Sequence, residues 1–411
     1  MNVVVTCEHH FSRTPDGRVW TNGLVAYSFW ARYLSVFDSV RVVARVRDVT
    51  VPPPKHQLAS GAGVTFWGVP DFRGPEQYLL RAMSIAAATA KAVQAGDAVM
   101  LRVPGRIGTC VEWRLRKMRR PYGVEVVGDP YDVFSPGAVR HPLRPLFRWW
   151  FPRNLRRQCA AACAAAYVTE HALQRRYPAS TEAFATFYSD VELPPSAFVN
   201  VSRTSMSNGT ARLIFVGSLA QLYKAPDVLI DAIGACVHDG LDLELVVVGS
   251  GKYQSKMEGR ALALGLAKRV QFCGQLPTPE AVRSELDQAH LFVLPSRQEG
   301  LPRAMIEAMA RALPCLGSTV GGIPELLPSE DLVAADDAPG LAKKIHEVLA
   351  DPARMRRMSA RNLEKAKEYA EAPGERRLAF YREFKLCTQA WLQASGESPA
   401  PTSAEASGRK R

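Results

Sequence analysis

Two glutamates eight positions apart carry the most informative chemistry in this sequence: Glu299 and Glu307, in the run LFVLPSRQEGLPRAMIEAMARALPCLGSTVGGIPELL from Leu291 to Leu327. Ionised carboxylates accept hydrogen bonds, so such a pair suits the hydroxyls of a sugar and a ribose. The same run offers groups for an anion. Gly300, Leu301 and Pro302 lead into a helical pattern in which Met305, Ile306, Met309 and Ala310 share one face. Gly321 and Gly322 lead into a second short helix near Pro324 to Leu327. The free N–H groups and positive dipole ends of helix N-termini favour a phosphate or diphosphate. Glycine pairs let a backbone come close to it.

Ordered elements must hold these groups together. Leu291 to Leu294 is a short apolar run, as expected of a strand buried on both faces. Pro295 and Ser296 end it, and a polar loop follows from Ser296 to Pro302. Proline suits the first turn of a helix, where its missing N–H costs nothing. A second strand, Pro314 to Gly317, runs into Ser318–Gly322 and the second helix. In an open parallel sheet, the loops that follow the strands share one edge, and ligands bind there.

The frame EGLPRAMIEAMARALPCLGSTVGGIPE, with seven residues between Glu299 and Glu307, resembles the Glu-x7-Glu signature of retaining, nucleotide-sugar-dependent family 4 glycosyltransferases. The spacing alone is common; the surrounding PS, EG, EAMA, P and GG make the match specific. The resemblance implies the GT-B fold: two Rossmann-like, doubly wound α/β domains facing a central cleft, with a final helix that crosses back to the first. It implies that Glu299 holds sugar hydroxyls beside the Gly300 and Leu301 amides, and that Glu307 holds the ribose. Gly217-Ser218-Leu219 and Lys224, after a strand from Arg212 to Val216, resemble the family's diphosphate-binding Gly-Arg-Leu…Lys-Gly element. Ser218 stands in place of the Arg and Ala225 in place of the second Gly. Gly249 follows the strand Leu243–Val248, and the Leu276 backbone would meet the base. Gly23 is the nearest match to the first-domain glycine that approaches the diphosphate. Asp129 stands where many relatives carry a His near the sugar; a catalytic role and a helix or turn cap both fit it. Family likeness further implies retention without an essential metal or other cofactor, the leaving phosphate taking the acceptor's proton. No DxD lies between apolar strands. Glu299, Lys224 and Asp129 are the candidate catalytic residues.

At 411 residues and 47% hydrophobic content, two globular domains are expected. Residues 1–195 read as an acceptor-binding domain, 196–210 as a Pro/Ser/Asn-rich linker and 211–374 as the donor-binding domain. Residues 375–393 read as the returning helix, and 394–411 as a disordered tail. In the first half, strands are expected at Asn2–Thr6, Arg41–Val46, Val64–Val69, Ala98–Val103 and Val124–Val127. A polar loop, Glu8–Asn22, separates the first of these from an aromatic helix opening at Gly23. No GxGxxG follows the first strand, and Gly251-Lys252 is followed by Tyr253 rather than Ser or Thr. An NAD enzyme and a P-loop NTPase are therefore disfavoured.

The net charge of +12 points to an acidic partner. RLRKMRR (114–120) and RHPLRPLFRWWFPRNLRR (140–157) combine arginines with Phe147, Trp149, Trp150 and Phe151. Such a face suits an anionic membrane surface; a surface helix with its tryptophans in the core is the other reading. Nucleic acid fits less well, because no nucleic-acid module accompanies the charge. The eight cysteines show no CxxC spacing and Met1–Thr6 no signal-peptide pattern. A cytoplasmic enzyme, peripheral on a membrane, is expected. The expected partners are a nucleotide-sugar donor and a glycan or lipid-linked acceptor, as in bacterial surface polysaccharide synthesis. A nucleotide-sugar epimerase of the same fold, a phosphorylase and a non-catalytic sugar-binding relative are the rival readings.

Overall fold

A computed structural model describes the chain except for residues 23–24, 55, 136–140, 192, 204–208, 372 and 397–411. Alternating apolar strands and helices build two sheets. The first contains β1 (Asn2–Arg13), β2 (Val19–Thr21), β3 (Ser39–Asp48), β4 (Gln57–Leu58), β5 (Val64–Val69), β6 (Ala98–Val103), β7 (Gly123–Val126), β8 (Ala164–Tyr167) and β9 (Phe184–Phe187). Its parallel core runs β5-β3-β1-β6-β7-β8-β9. The second contains β10 (Ala211–Val216), β11 (Leu243–Val248), β12 (Val270–Gly274), β13 (Leu291–Leu294), β14 (Cys315–Ser318) and β15 (Leu332–Val333), in the order β12-β11-β10-β13-β14-β15. Every pairing in this second sheet is parallel. Strand order reverses beside β1 in one sheet and beside β10 in the other. A crevice opens at such a reversal, beyond the strands' C-terminal ends.

The first strand departs from expectation. β1 does not stop at Thr6: a register shift between Thr6 and His10 lets it continue beside β3 to Arg13. Ser12 and Arg13 then pair antiparallel with Trp20 and Val19. The predicted loop is thus half strand, turned at Pro15-Asp16-Gly17, where Gly17 has φ of 82°. The aromatic helix is also shorter, Tyr27–Ala31 followed by a 3-10 turn over Arg32–Ser35. Both differences arise because buried Phe11, Val19, Trp30 and Tyr33 pack in one cluster. Tertiary burial overrides the polar residues between them.

Each sheet buries both faces. Val99, Leu101, Val124 and Val126 pack against helices Arg106–Lys117 and Arg144–Ala161. On the opposite face, Val3, Val5, Val42 and Met100 meet Phe380, Tyr381 and Phe384 of the last helix, Pro373–Ser395. That helix does cross back. Tyr381 stacks on Tyr33 with 4.6 Å between ring centroids, and Tyr33 and Tyr188 both donate to the buried Glu125 carboxylate. Helix persists to Ser395, beyond the expected start of the tail, most of which lies outside the described residues. In the linker, Arg203 donates to the Leu286, Ala289 and Arg311 carbonyls, fastening that segment to the second sheet's helices.

Candidate active site

A cleft of about 760 Å³ lies between the two sheets. Its second-domain wall includes Gly217, Ser218, Lys224, Glu299–Ala304 and Glu307; its first-domain wall includes Glu8, His9, Arg102, Val127 and Gly128. The stretches that follow β10 and β13 thus converge, as the strand order requires.

At the centre, the Lys224 ammonium donates to Glu299 Oε1 at 2.6 Å, and the Ser296 hydroxyl donates to the same oxygen at 2.7 Å. Glu299 is only 6% exposed, and the two donors offset the burial of its side-chain oxygen. Lys224 ends a 3-10 turn over Leu222–Lys224, after which Ala225 opens helix Pro226–His238 at φ 51°. That left-handed position favours glycine, which accounts for the glycine expected from the family pattern. Ser218 lines the cleft, while its Oγ accepts the Ala220 N–H at 3.2 Å.

Arg297, which the sequence reading did not single out, fixes these loops to one another. Its guanidinium forks onto Asp227 at 2.8 and 2.9 Å, reaches Asp336 at 2.6 Å and donates to the Leu222 carbonyl. Its own N–H donates to the Tyr223 carbonyl at 2.7 Å. The turn bearing Lys224 is thereby locked to the loop bearing Glu299. A planar fork does this; a lysine ammonium could not.

The glycines divide by role. Gly300 lies where the domains touch, since a Cβ there would come 2.8 Å from the Val127 carbonyl oxygen. Gly321 has φ of 55°, and a Cβ on it would overlap the Glu299 carbonyl. The Gly322 N–H donates to the Gly300 carbonyl at 2.7 Å. That amide is therefore committed to the loop rather than offered to a phosphate, and the glycine pair buttresses Glu299–Gly300. Gly249 (φ 133°) packs its backbone on the Gly217 carbonyl, supporting the cleft from outside its lining. Leu276 is part-buried against the second core and does not line this cavity either. Pro302 immediately precedes helix Arg303–Ala310, which carries Glu307 into the cleft. Burial raises the Glu307 pKa, with Arg303 and then Arg283 pulling it down.

Asp129 is a cap. Its carboxylate accepts the Tyr131 N–H at 2.8 Å and the Tyr177 hydroxyl at 2.5 Å, and it pairs with Arg176. It is buried behind Val127 and Gly128 and does not line the cleft, so the catalytic role expected for it is set aside. Gly23 lies outside the described residues. Cys7, Glu8 and His9 of the CEHH run on β1 contribute to the first-domain wall beside Arg102, Val127 and Gly128. Glu8 accepts the Ile107 N–H at 2.6 Å, and burial raises its pKa; His9 Nε2 sits 2.8 Å from Asn22 Oδ1. The polar letters that follow the apolar run Val3–Val5 were the signal that could have found them. Among the described residues, no group of three or more His, Cys, Asp or Glu is placed to hold a metal ion.

The fold and cleft define a two-domain α/β protein of GT-B type. Its similarity to sucrose-phosphate synthase from Thermosynechococcus elongatus covers 97% of this chain and 100% of that one, with a TM-score of 0.66 at 19% identity. Residues 210–351 match the family model "Glycosyl transferases group 1". Protein CapJ of Staphylococcus aureus is 27% identical over 322 residues, 78% of this chain and 80% of its own length. A GDP-mannose-dependent monoacylated alpha-(1-6)-phosphatidylinositol monomannoside mannosyltransferase of Corynebacterium glutamicum is 34% identical over 146 residues, 33% of this chain and 38% of its own. Residues 210–351 thus resemble a group 1 glycosyltransferase domain, and the Lys224–Glu299 pair falls within the matched stretch.

Proposed function

We propose that the chain transfers a hexose-type sugar, with retention of anomeric configuration, from a nucleotide diphosphate sugar to a glycan or lipid-linked acceptor in bacterial surface polysaccharide synthesis. In this proposal it is cytoplasmic, works at the inner face of the membrane and needs no essential metal. The observation that carries the reading is the set Lys224, Glu299 and Glu307 on one wall of a cleft between two domains. Likeness to CapJ and to a GDP-mannose-dependent transferase supports it.

The donor lies mainly on the second domain, its ribose hydroxyls on Glu307 and its sugar hydroxyls on Glu299. The bond between the anomeric carbon and the β-phosphate oxygen breaks, leaving negative charge on the diphosphate. Lys224 stabilises that charge, worth about 10²–10³ in rate for one well-placed donor. The acceptor oxygen bonds to the anomeric carbon on the face the diphosphate leaves, and its proton passes to the departing phosphate oxygen. Glu8 and His9 line the wall the acceptor would approach.

The test is product analysis. The enzyme is incubated with UDP-, GDP- and ADP-sugars and a lipid-linked glycan, with and without chelator, and the new anomeric centre is read by NMR. A product with the donor's configuration, formed equally in chelator, is expected. An inverted product, or donor binding without any transfer, would contradict the proposal; the latter would point to a non-catalytic sugar-binding relative.

A further inference from the structure

Three helices cover the face of the first sheet opposite the last helix: Gly74–Ala92, Arg106–Lys117 and Arg144–Ala161. Side chains tie them side by side. Arg114 Nη1 donates to the Ala90 carbonyl, Asn154 Nδ2 to Thr109 Oγ1 and Arg157 Nη2 to Glu112 Oε2. The Arg106 guanidinium lies 4.6 Å from the Tyr78 ring centroid and 4.9 Å from that of Trp150, joining all three at one end. This resolves the aromatic run of 140–157. Phe147 and Phe151 pack on Phe134 and Trp150 on Phe151, while Trp149 stays in solvent.

The outer surface of this layer is unusual in two respects at once. Of the sixteen large hydrophobics exposed among the described residues, six lie on these helices: Leu79, Leu80, Met83, Trp113, Leu146 and Trp149. Leu79, Leu80 and Met83 are 71%, 87% and 88% exposed, on one face of a helix whose buried side chains include Ile85 and Thr89. Patches of this kind mark contact sites. The same helices hold eleven Arg and Lys against Glu76 and Glu112 alone. Each exposed tryptophan carries a cation on its ring: Lys117 lies 3.7 Å above Trp113, and Arg153 4.5 Å above Trp149. Between the first two helices an apolar cavity of about 610 Å³ opens, lined by Ala86, Val93, Leu115 and Met118 among others, with Arg114 beside it.

We infer that this layer docks on an anionic bilayer, with Leu79, Leu80 and Met83 inserted among the acyl chains and the surrounding arginines and lysines on the headgroups. Apolar side chains mixed with cations and tryptophans match the two zones of a lipid surface. Basic charge this dense selects anionic lipid over neutral. The cavity beside Arg114 is wide enough and apolar enough to receive an acyl chain. No helix among the described residues is long and apolar enough to cross a membrane, so the contact is one of docking. The inference rests on the proposed membrane setting and assigns the surface responsible; it adds the helix Gly74–Ala92, which no feature of the basic runs indicated.

The full chain is sedimented with sucrose-loaded vesicles of phosphatidylcholine alone, or of phosphatidylcholine mixed with phosphatidylglycerol. The wild type should pellet with the mixed vesicles and at least about tenfold less with phosphatidylcholine alone. The triple variant Leu79→Glu, Leu80→Glu, Met83→Glu should lose about tenfold or more of that binding. Its thermal stabilisation by a nucleotide sugar should stay unchanged, which shows that it folds. Failure to pellet, equal pelleting with both vesicles, or a triple variant that pellets like wild type would overturn the inference. A chain that pellets but transfers no sugar would sink the proposed reaction alone. One that transfers sugar to a soluble acceptor yet never pellets would sink the docking face alone.

Discussion

The Lys224 ammonium and the Glu299 carboxylate meet at 2.6 Å, although 75 positions separate them in sequence. They stand beyond the ends of β10 and β13, the two paired strands at which the strand order of the second sheet reverses. Each holds the other's charge in a cleft where neither is well solvated, their side chains being 14% and 7% exposed. In the proposed reaction, an entering diphosphate would find a lysine already positioned, and a sugar a carboxylate already oriented. Such preorganisation lowers the cost of reaching the transition state.

The pairing predicts non-additive stability. Lys224→Ala or Glu299→Ala alone leaves a charged partner underserved and should cost about 1–3 kcal/mol. The double variant should be less damaged than the sum of the two by about 1 kcal/mol, as contacting residues usually are. Chemical denaturation of all four proteins measures this, and strict additivity would argue that the pair contributes nothing.

Arg297→Lys should weaken donor binding without touching the donor. The substitution keeps the charge but loses the fork to Asp227 and the reach to Asp336. A loss of about 1–3 kcal/mol in stability, by the usual cost of broken charge-assisted bonds, should accompany a higher KM. Calorimetric titration of nucleotide into wild type and variant gives the comparison. Unaltered affinity would mean that the Lys224 turn is held by other contacts.

Glu307 should trade stability for binding in a pH-dependent way. Its folded pKa is raised from the reference value of 4.5, chiefly by burial. The folded state therefore binds this proton more tightly than the unfolded state, so the group favours folding below about pH 4.5 and loses that advantage as pH rises through its folded pKa. In the absence of ligand, Glu307→Gln should melt above wild type at pH 7, and the gap should close as pH falls toward 4. The same variant should lose nucleotide-dependent stabilisation. Melting curves across pH test both halves, and a variant less stable than wild type at neutral pH would show that Glu307 is better solvated than its burial implies.

Glu325 should act as an interdomain latch. From the second domain, its carboxylate accepts the N–H groups of Glu170, His171 and Ala172 at 2.6, 2.9 and 2.7 Å. Glu325→Ala should speed hydrogen exchange at those three amides at least about tenfold, if local opening becomes about 1.4 kcal/mol easier. Unchanged exchange would place the hold between domains elsewhere.

The second domain was the more legible half. Strands buried on both faces read as unbroken apolar runs, and β11 and β13 begin and end where such runs do. β1 was harder, because its bulge at Thr6–His10 hides a continuing strand under polar letters. The identities of Lys224, Glu299 and Glu307 could be read from the family frame, but their partners could not. Arg297 meets Asp227 and Asp336 across 70 and 39 positions, a distance no local pattern spans. Asp129 fitted both a catalytic role and a cap from its strand-end position; the packing of Arg176 and Tyr177 favours the cap. The glycine pair 321–322 was read as an anion cradle, and the hydrogen bond from the Gly322 N–H to the Gly300 carbonyl makes it a support.

The most direct test of the account is a thermal-shift panel of UDP, GDP, ADP and their sugars on wild type, Lys224→Ala and Glu307→Ala. A ligand at 100 times its Kd adds roughly 2.7 kcal/mol to the folded state, a shift easily resolved. One nucleotide class should stabilise wild type and fail on both variants, fixing the donor and the site together. Equal stabilisation of all three proteins, or none by any nucleotide, would contradict the assignment of this cleft as the donor site.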